Sequence, residues 1–123
     1  MYFLDSYAII EYLKGNTKFT KIIDNDPIHT SDFQLMEVYY FGIKDVGEEE
    51  AEKYYEAFAS VKVLIPEKTL KNAMKTRLEF QKKDCNVSYV DAIGYQYAVD
   101  NNLKFVTGDL AFKGLKSVEY LGK

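Results

Sequence analysis

Short apolar runs that stop abruptly and give way to helix-patterned stretches recur along the whole chain, and this alternation most limits its fold. The runs are Met1–Leu4, Ile28–Thr30, Val61–Ile65, Leu103–Val106 and Val118–Leu121. Between them, apolar residues fall at helical spacing over Tyr7–Lys14, Thr17–Ile23, Phe33–Ile43, Glu48–Ser60, Glu67–Lys83 and Tyr89–Asn101. Strands alternating with helices predict an α/β fold, a mostly parallel sheet with helices on both faces. A chain of 123 residues with no linker, repeat or low-complexity stretch reads as one domain, 1–123.

Local chemistry sets the boundaries. Asp5 or Ser6 can cap the first helix, and Gly15-Asn16 ends it. Pro27 forces a break after the second helix. Ser31 and Gln34 have the spacing of a capping box, and the nearly continuous apolar run after them predicts a buried helix. Pro66 stops one strand and suits the start of the next helix. Ser88 caps the last helix, with Asp91 at its third position. Gly94 costs about 1 kcal/mol in a helix interior against alanine, so something is expected to pack closely there.

In open α/β sheets, chemistry gathers at the carboxyl ends of the strands. Asp5 stands where the first strand stops, and Asp109 follows the strand Leu103–Val106 and the turn Thr107-Gly108. Glu37 interrupts the apolar run of the third helix, on the face of Phe33, Tyr40 and Phe41. A buried acid needs a cation or donors. Each acid also has an ordinary reading: a cap for Asp5 and Asp91, a turn for Asp109, an ion pair for Glu37. Four carboxylates brought together repel unless cations neutralise them, and oxygen-only ligands favour Mg²⁺ or Mn²⁺ over zinc.

Composition narrows the alternatives. One cysteine, Cys85, forms no internal disulfide, which fits a reducing cytoplasm. With His29 the single histidine, a zinc site or thiolate triad is not supported. No signal peptide or membrane-spanning stretch is expected. The net charge of −3 is unlike that of most nucleic-acid binders, but two divalent cations would bring it to +1.

The sequence resembles the PIN-domain family of metal-dependent nucleases, and most of all its small VapC-type toxins. The resemblance rests on Leu4-Asp5-Ser6, Ser31 through Val38, Ser88 through Gly94, and Phe105 through Asp109, and spans essentially the whole chain. It implies Asp5, Glu37, Asp91 and Asp109 as a metal-holding catalytic quartet, with a supporting hydroxyl from Ser6 or Thr107. It implies an α/β/α sandwich around a five-stranded parallel sheet in the order 3-2-1-4-5. The implied activity is Mg²⁺- or Mn²⁺-dependent hydrolysis of RNA, leaving a 5′-phosphate and a 3′-hydroxyl, in the toxin of a toxin–antitoxin pair. A homodimer and a cognate antitoxin are the implied partners. Many relatives carry a further acid where this chain has Ala111, and Arg77 is its single arginine. Lys14, Lys44, Lys82, Lys83 and Lys113 are candidate RNA contacts.

Two other readings compete. A PIN-like scaffold without turnover would keep the fold and lose the cleavage. An aspartyl-phosphate phosphotransferase would use Asp5 as nucleophile. Its haloacid-dehalogenase-like form wants a second acid where Tyr7 stands, and its receiver form wants an acid near Leu64-Ile65-Pro66, which has none.

Overall fold

The computed structural model describes residues 1–122. Its centre is the strand β1 (Tyr2–Leu4), flanked by β2 (Ile28–His29) and β3 (Lys104–Thr107), with β4 (Val118–Tyr120) beyond β3. The order is β2-β1-β3-β4 and every pairing is parallel. Phe3 lies beside His29 and Phe105, and Leu4 beside Val106.

Successive strand residues face opposite sides of a sheet, and β1 uses both. Phe3 and Phe105 join the buried cluster of Ala73, Ala92, Ile93, Ala98 and Phe112, under α5 (Glu67–Lys82) and α6 (Tyr89–Asp100). Leu4 and Val106 join Ile9, Phe19, Leu35 and Val38, under α1 (Ser6–Leu13), α2 (Thr17–Ile23) and α3 (Asp32–Asp45). The central strand β1 carries no charged residue, and its neighbour β3 is buried from Phe105 to Thr107, because both faces are covered. The α/β/α layering expected from the alternation is therefore present, and α4 (Glu48–Ala57) packs on α3.

The expected count of five strands is corrected to four. Val61–Ile65 lies at the edge where a fifth strand belongs, beside β2, but pairs through one parallel bridge, Thr30 to Lys62. The Val63 amide donates to the Thr30 carbonyl at 2.8 Å, and the Thr30 amide to the Val61 carbonyl at 3.2 Å. β2 offers a short template, because Ser31 turns the chain into α3 directly after Thr30. A 3-10 turn takes Ala59–Val61 from the other end, and α4 stops at Ala57, short of the expected Ser60.

A second correction concerns α3, expected to be buried on most sides. Leu35, Val38 and Gly42 face the core, while Met36, Tyr40 and Ile43 are 56%, 64% and 43% exposed. Those three lie on one face of the helix. The apolar run thus serves two surfaces, one packed inside this chain and one open.

Candidate functional site

Four segments that are distant in sequence deliver the four acids to one cleft of about 360 Å³, lined by Asp5, Ser6, Tyr7, Glu37, Ser88, Asp91, Gly108 and Asp109. Asp5 ends β1, and its amide continues the sheet by donating to the Val106 carbonyl at 3.1 Å. Its carboxylate accepts the Ala8 amide at 2.7 Å, so Asp5 caps α1 and lines the cleft at once. Asp109 repeats the arrangement after β3, accepting the Ala111 amide at 2.9 Å and capping a 3-10 turn at Leu110–Phe112. For both residues the capping role and the cleft position coexist.

Glu37 reaches the cleft from α3 and is half-buried. The Ser6 hydroxyl donates to it at 2.7 Å. Asp91 comes from the first turn of α6, whose start is capped by Ser88, with the Asp91 amide donating to Ser88 Oγ at 3.0 Å. Gln34 ties the two helices together: it is fully buried, and its Nε2 donates to the Val90 carbonyl at 3.1 Å. Gly94 permits this approach, since a Cβ there would stand 2.8 Å from Gln34 Nε2 and from the Phe105 ring.

Like charge and burial dominate the electrostatics. Asp5 is 1% exposed, and its carboxyl is pushed up to about 8. Loss of water is the main cause, and the charges of Asp91 and Asp109 add to it. The Thr107 hydroxyl and the Ala8 amide oppose the rise. Asp91 is raised to about 7 by burial, by the Glu37 and Asp109 charges and by a hydrogen bond with Asp109, against the pull of Ser88. Among the described residues no lysine or arginine lines the cleft. Among the described residues no set of three or more Asp, Glu, His or Cys side chains is gathered tightly enough to grip an ion as it stands.

The donor set still fits a hard divalent cation. It is all oxygen, it is acidic, and its most buried member lacks a positive partner. Asp5, Glu37, Asp91 and Asp109 are the residues able to hold such an ion. Thr107, one of the two supporting hydroxyls expected, bonds Asp5, and Ser6, the other, bonds Glu37.

The five candidate lysines lie outside the cleft lining. Lys14 pairs with Glu11 at 3.6 Å, Lys82 pairs with Glu79 at 3.2 Å, and Lys113 sits 5.4 Å from the centre of the Tyr120 ring. Three lining residues are not among the site residues expected from sequence: Tyr7, Ser88 and Gly108. Ser88 and Gly108 fall within the stretches that carry the resemblance, as a helix cap and a turn, and no local pattern marks Tyr7.

A family model described as PIN domain matches residues 2–117. The chain belongs to the PIN domain family. Its fold is similar to that of VapBC2 from Rickettsia felis bound to a promoter DNA fragment, with a TM-score of 0.79 at 19% identity over 98% of both chains. A toxin–antitoxin complex from Klebsiella pneumoniae gives 0.76 at 18% identity over 97% of this PIN domain chain and 96% of that one. VapC20 of Mycobacterium tuberculosis, a sarcin–ricin loop cleaving toxin, gives 0.71 at 16% identity over 96% and 98%. At these identities the likeness is one of fold. A comparison with curated proteins finds no match. Among the described residues no helix is long and apolar enough to cross a membrane.

Proposed function

We propose that this PIN domain is a divalent-metal-dependent ribonuclease, working in the cytoplasm as the toxin of a toxin–antitoxin pair. The observation that carries the reading is the convergence of Asp5, Glu37, Asp91 and Asp109 on one cleft whose lining, among the described residues, holds no cationic side chain. In a protein with no ligand to bind there, such a cluster is a cost to folding without a return. The toxin assignment draws on the fold shared with toxin–antitoxin complexes. The open stripe of Met36, Tyr40 and Ile43 supports a protein partner, either an antitoxin or a second copy in a homodimer.

The reaction is hydrolysis of an RNA phosphodiester: water attacks phosphorus, the 3′ oxygen leaves with a proton, and the product carries a 5′-phosphate. Asp5, Glu37, Asp91 and Asp109 would hold Mg²⁺ or Mn²⁺. When bound, the cation supplies Lewis acidity toward the phosphate and makes water a better nucleophile. The chain's own residues pre-set the geometry. The Ala8 amide and the Thr107 hydroxyl fix Asp5, Ser6 aims Glu37, Ser88 fixes Asp91, and the Ala111 amide fixes Asp109.

The test is cleavage of end-labelled single-stranded RNA with Mg²⁺, with Mn²⁺ and with EDTA, beside an Asp91→Asn variant purified identically. Metal-dependent cutting that the variant lacks is expected. Cutting that survives the variant would assign the activity to a contaminant, and a wild-type protein without cutting or metal binding would leave a scaffold.

A further inference from the structure

Tyr7 contributes to the cleft a side chain that neither the capping pattern nor the acidic quartet accounts for. It stands two positions after Asp5, in the first turn of α1, half-buried. Its ring meets Phe19 of α2 edge to face, centroids 5.8 Å apart. On the other side it lies against the backbone of Gly108, so closely that a Cβ at 108 would run into the Cδ1, Cε1 and Cζ atoms of the ring. The ring is thereby pinned between α2 and the turn that carries Asp109. Phenylalanine would fill that slot equally well, so packing does not explain the hydroxyl.

The hydrogen-bonding inventory of the cleft gives the hydroxyl a use. The four carboxylates offer acceptors. The Ser6 hydroxyl is committed to Glu37 and the Ser88 hydroxyl to Asp91. Among the described residues the Tyr7 hydroxyl has no hydrogen-bond partner, although Asp5 and Glu11 are near enough for their charges to act on it. Among the described residues it is therefore the uncommitted side-chain donor in the lining. An anionic strand entering this cleft meets repulsion from the acids wherever a cation does not neutralise them. A neutral, rigidly held O–H donor is the group suited to a phosphate or ribose oxygen there.

We propose that Tyr7 is a substrate-binding residue, its hydroxyl donating a hydrogen bond to the sugar–phosphate backbone of the RNA seated on the four carboxylates. The inference rests on the ribonuclease reading and adds a residue to it. Because the ring is wedged between Phe19 and Gly108, the donor is held in place before the strand arrives, so little side-chain entropy is lost on contact.

The test compares wild-type protein with Tyr7→Phe on a fluorescent single-stranded RNA in Mn²⁺, with thermal melting and Mn²⁺ titration of both. A hydrogen bond to a charged group predicts about a tenfold or greater fall in kcat/KM, carried mainly by KM. Melting temperature and Mn²⁺ affinity are expected to stay unchanged, since the ring packing and the carboxylates remain. Unchanged KM and kcat in a pair where the wild type cuts would overturn the inference and leave the ribonuclease standing. A parallel loss of melting temperature and activity would also overturn it, by making Tyr7 a structural residue. Absence of both cutting and RNA binding in the wild type would overturn the ribonuclease reading and this inference together.

Discussion

The Ser6 hydroxyl donates a 2.7 Å hydrogen bond to Oε1 of Glu37, joining the start of α1 to the middle of α3 across 31 positions of sequence. It is the contact that turns Glu37 inward. Asp5 and Asp109 are aimed by backbone amides that the fold supplies anyway, whereas Glu37 depends on a side chain.

Ser6→Ala is therefore expected to leave Glu37 free to swing toward solvent. Loss of one such bond corresponds to about 1 kcal/mol, or roughly a fivefold fall in kcat/KM. Ser6→Thr keeps the hydroxyl and should keep most of the activity. Steady-state cleavage of the same RNA by the three proteins decides it, and equal rates in all three would mean that Glu37 is positioned by other contacts.

The raised carboxyls make stability depend on pH and metal together. Asp5 at about 8 and Asp91 at about 7 hold protons in the folded chain that the unfolded chain, at 3.8, has released. Protonation favours the fold, so their contribution is full below about pH 4 and is lost as pH rises through 7 and 8. In EDTA the melting temperature should drop by about 5 °C or more between pH 5.5 and 8.5. Mn²⁺ should restore it, and more strongly at pH 8.5, because the cation binds the deprotonated form. Asp5→Asn should flatten the profile in EDTA and raise the melting temperature at pH 8.5. A flat wild-type profile, with no response to Mn²⁺, would mean that the acids are more solvated than the cleft suggests.

What could be read in the sequence follows from which interactions are local. The alternation of apolar runs and helices revealed the layers, because Phe3 and Leu4 are both apolar only if both faces of the sheet are covered. The missing strand was not legible. Val61–Ile65 has strand composition, but pairing also needs a partner long enough to template it, and β2 ends at His29. Asp5 and Asp109 were legible as acids at strand ends. Glu37 stood out as an acid in an apolar run, yet that run is apolar partly because Met36, Tyr40 and Ile43 form an open stripe. Gln34 read as half of a capping box, and the long-range bond to the Val90 carbonyl is what buries it. Tyr7 reaches its place through contacts with Phe19 and Gly108, which no local spacing encodes.

Gly94 tests the join between α3 and α6. An added methyl would meet Gln34 Nε2 and the Phe105 ring at 2.8 Å and the Phe3 ring at 3.0 Å. Phe3 and Phe105 are fully buried, and Gln34 is held by Val90, so none can retreat cheaply. Alanine gains about 1 kcal/mol in helix propensity, and overpacking of this kind costs about 1–3 kcal/mol. Gly94→Ala is expected to lower stability by about 1 kcal/mol in urea unfolding and to weaken Mn²⁺ binding, because α6 carries Asp91. A more stable variant would show that the helices separate without penalty.

Ala111 tests the reach of the acidic cluster. It stands where many sequences of this type carry a further acid, two positions after Asp109. Here its amide serves Asp109, while its side chain packs against the cluster of Phe105 and Phe112 and shares a separate groove with Phe80, Cys85, Tyr95 and Leu115. That groove has no residue in common with the carboxylate cleft. Ala111→Asp should therefore add no ion in a calorimetric Mn²⁺ titration. It should lower stability by about 1–2 kcal/mol, the expected cost of burying a polar group beside apolar neighbours; Lys83, which lines the same groove, can offset part of this. A rise in stoichiometry would mean that the 3-10 turn at Leu110–Phe112 rotates on metal binding and brings position 111 into the cleft.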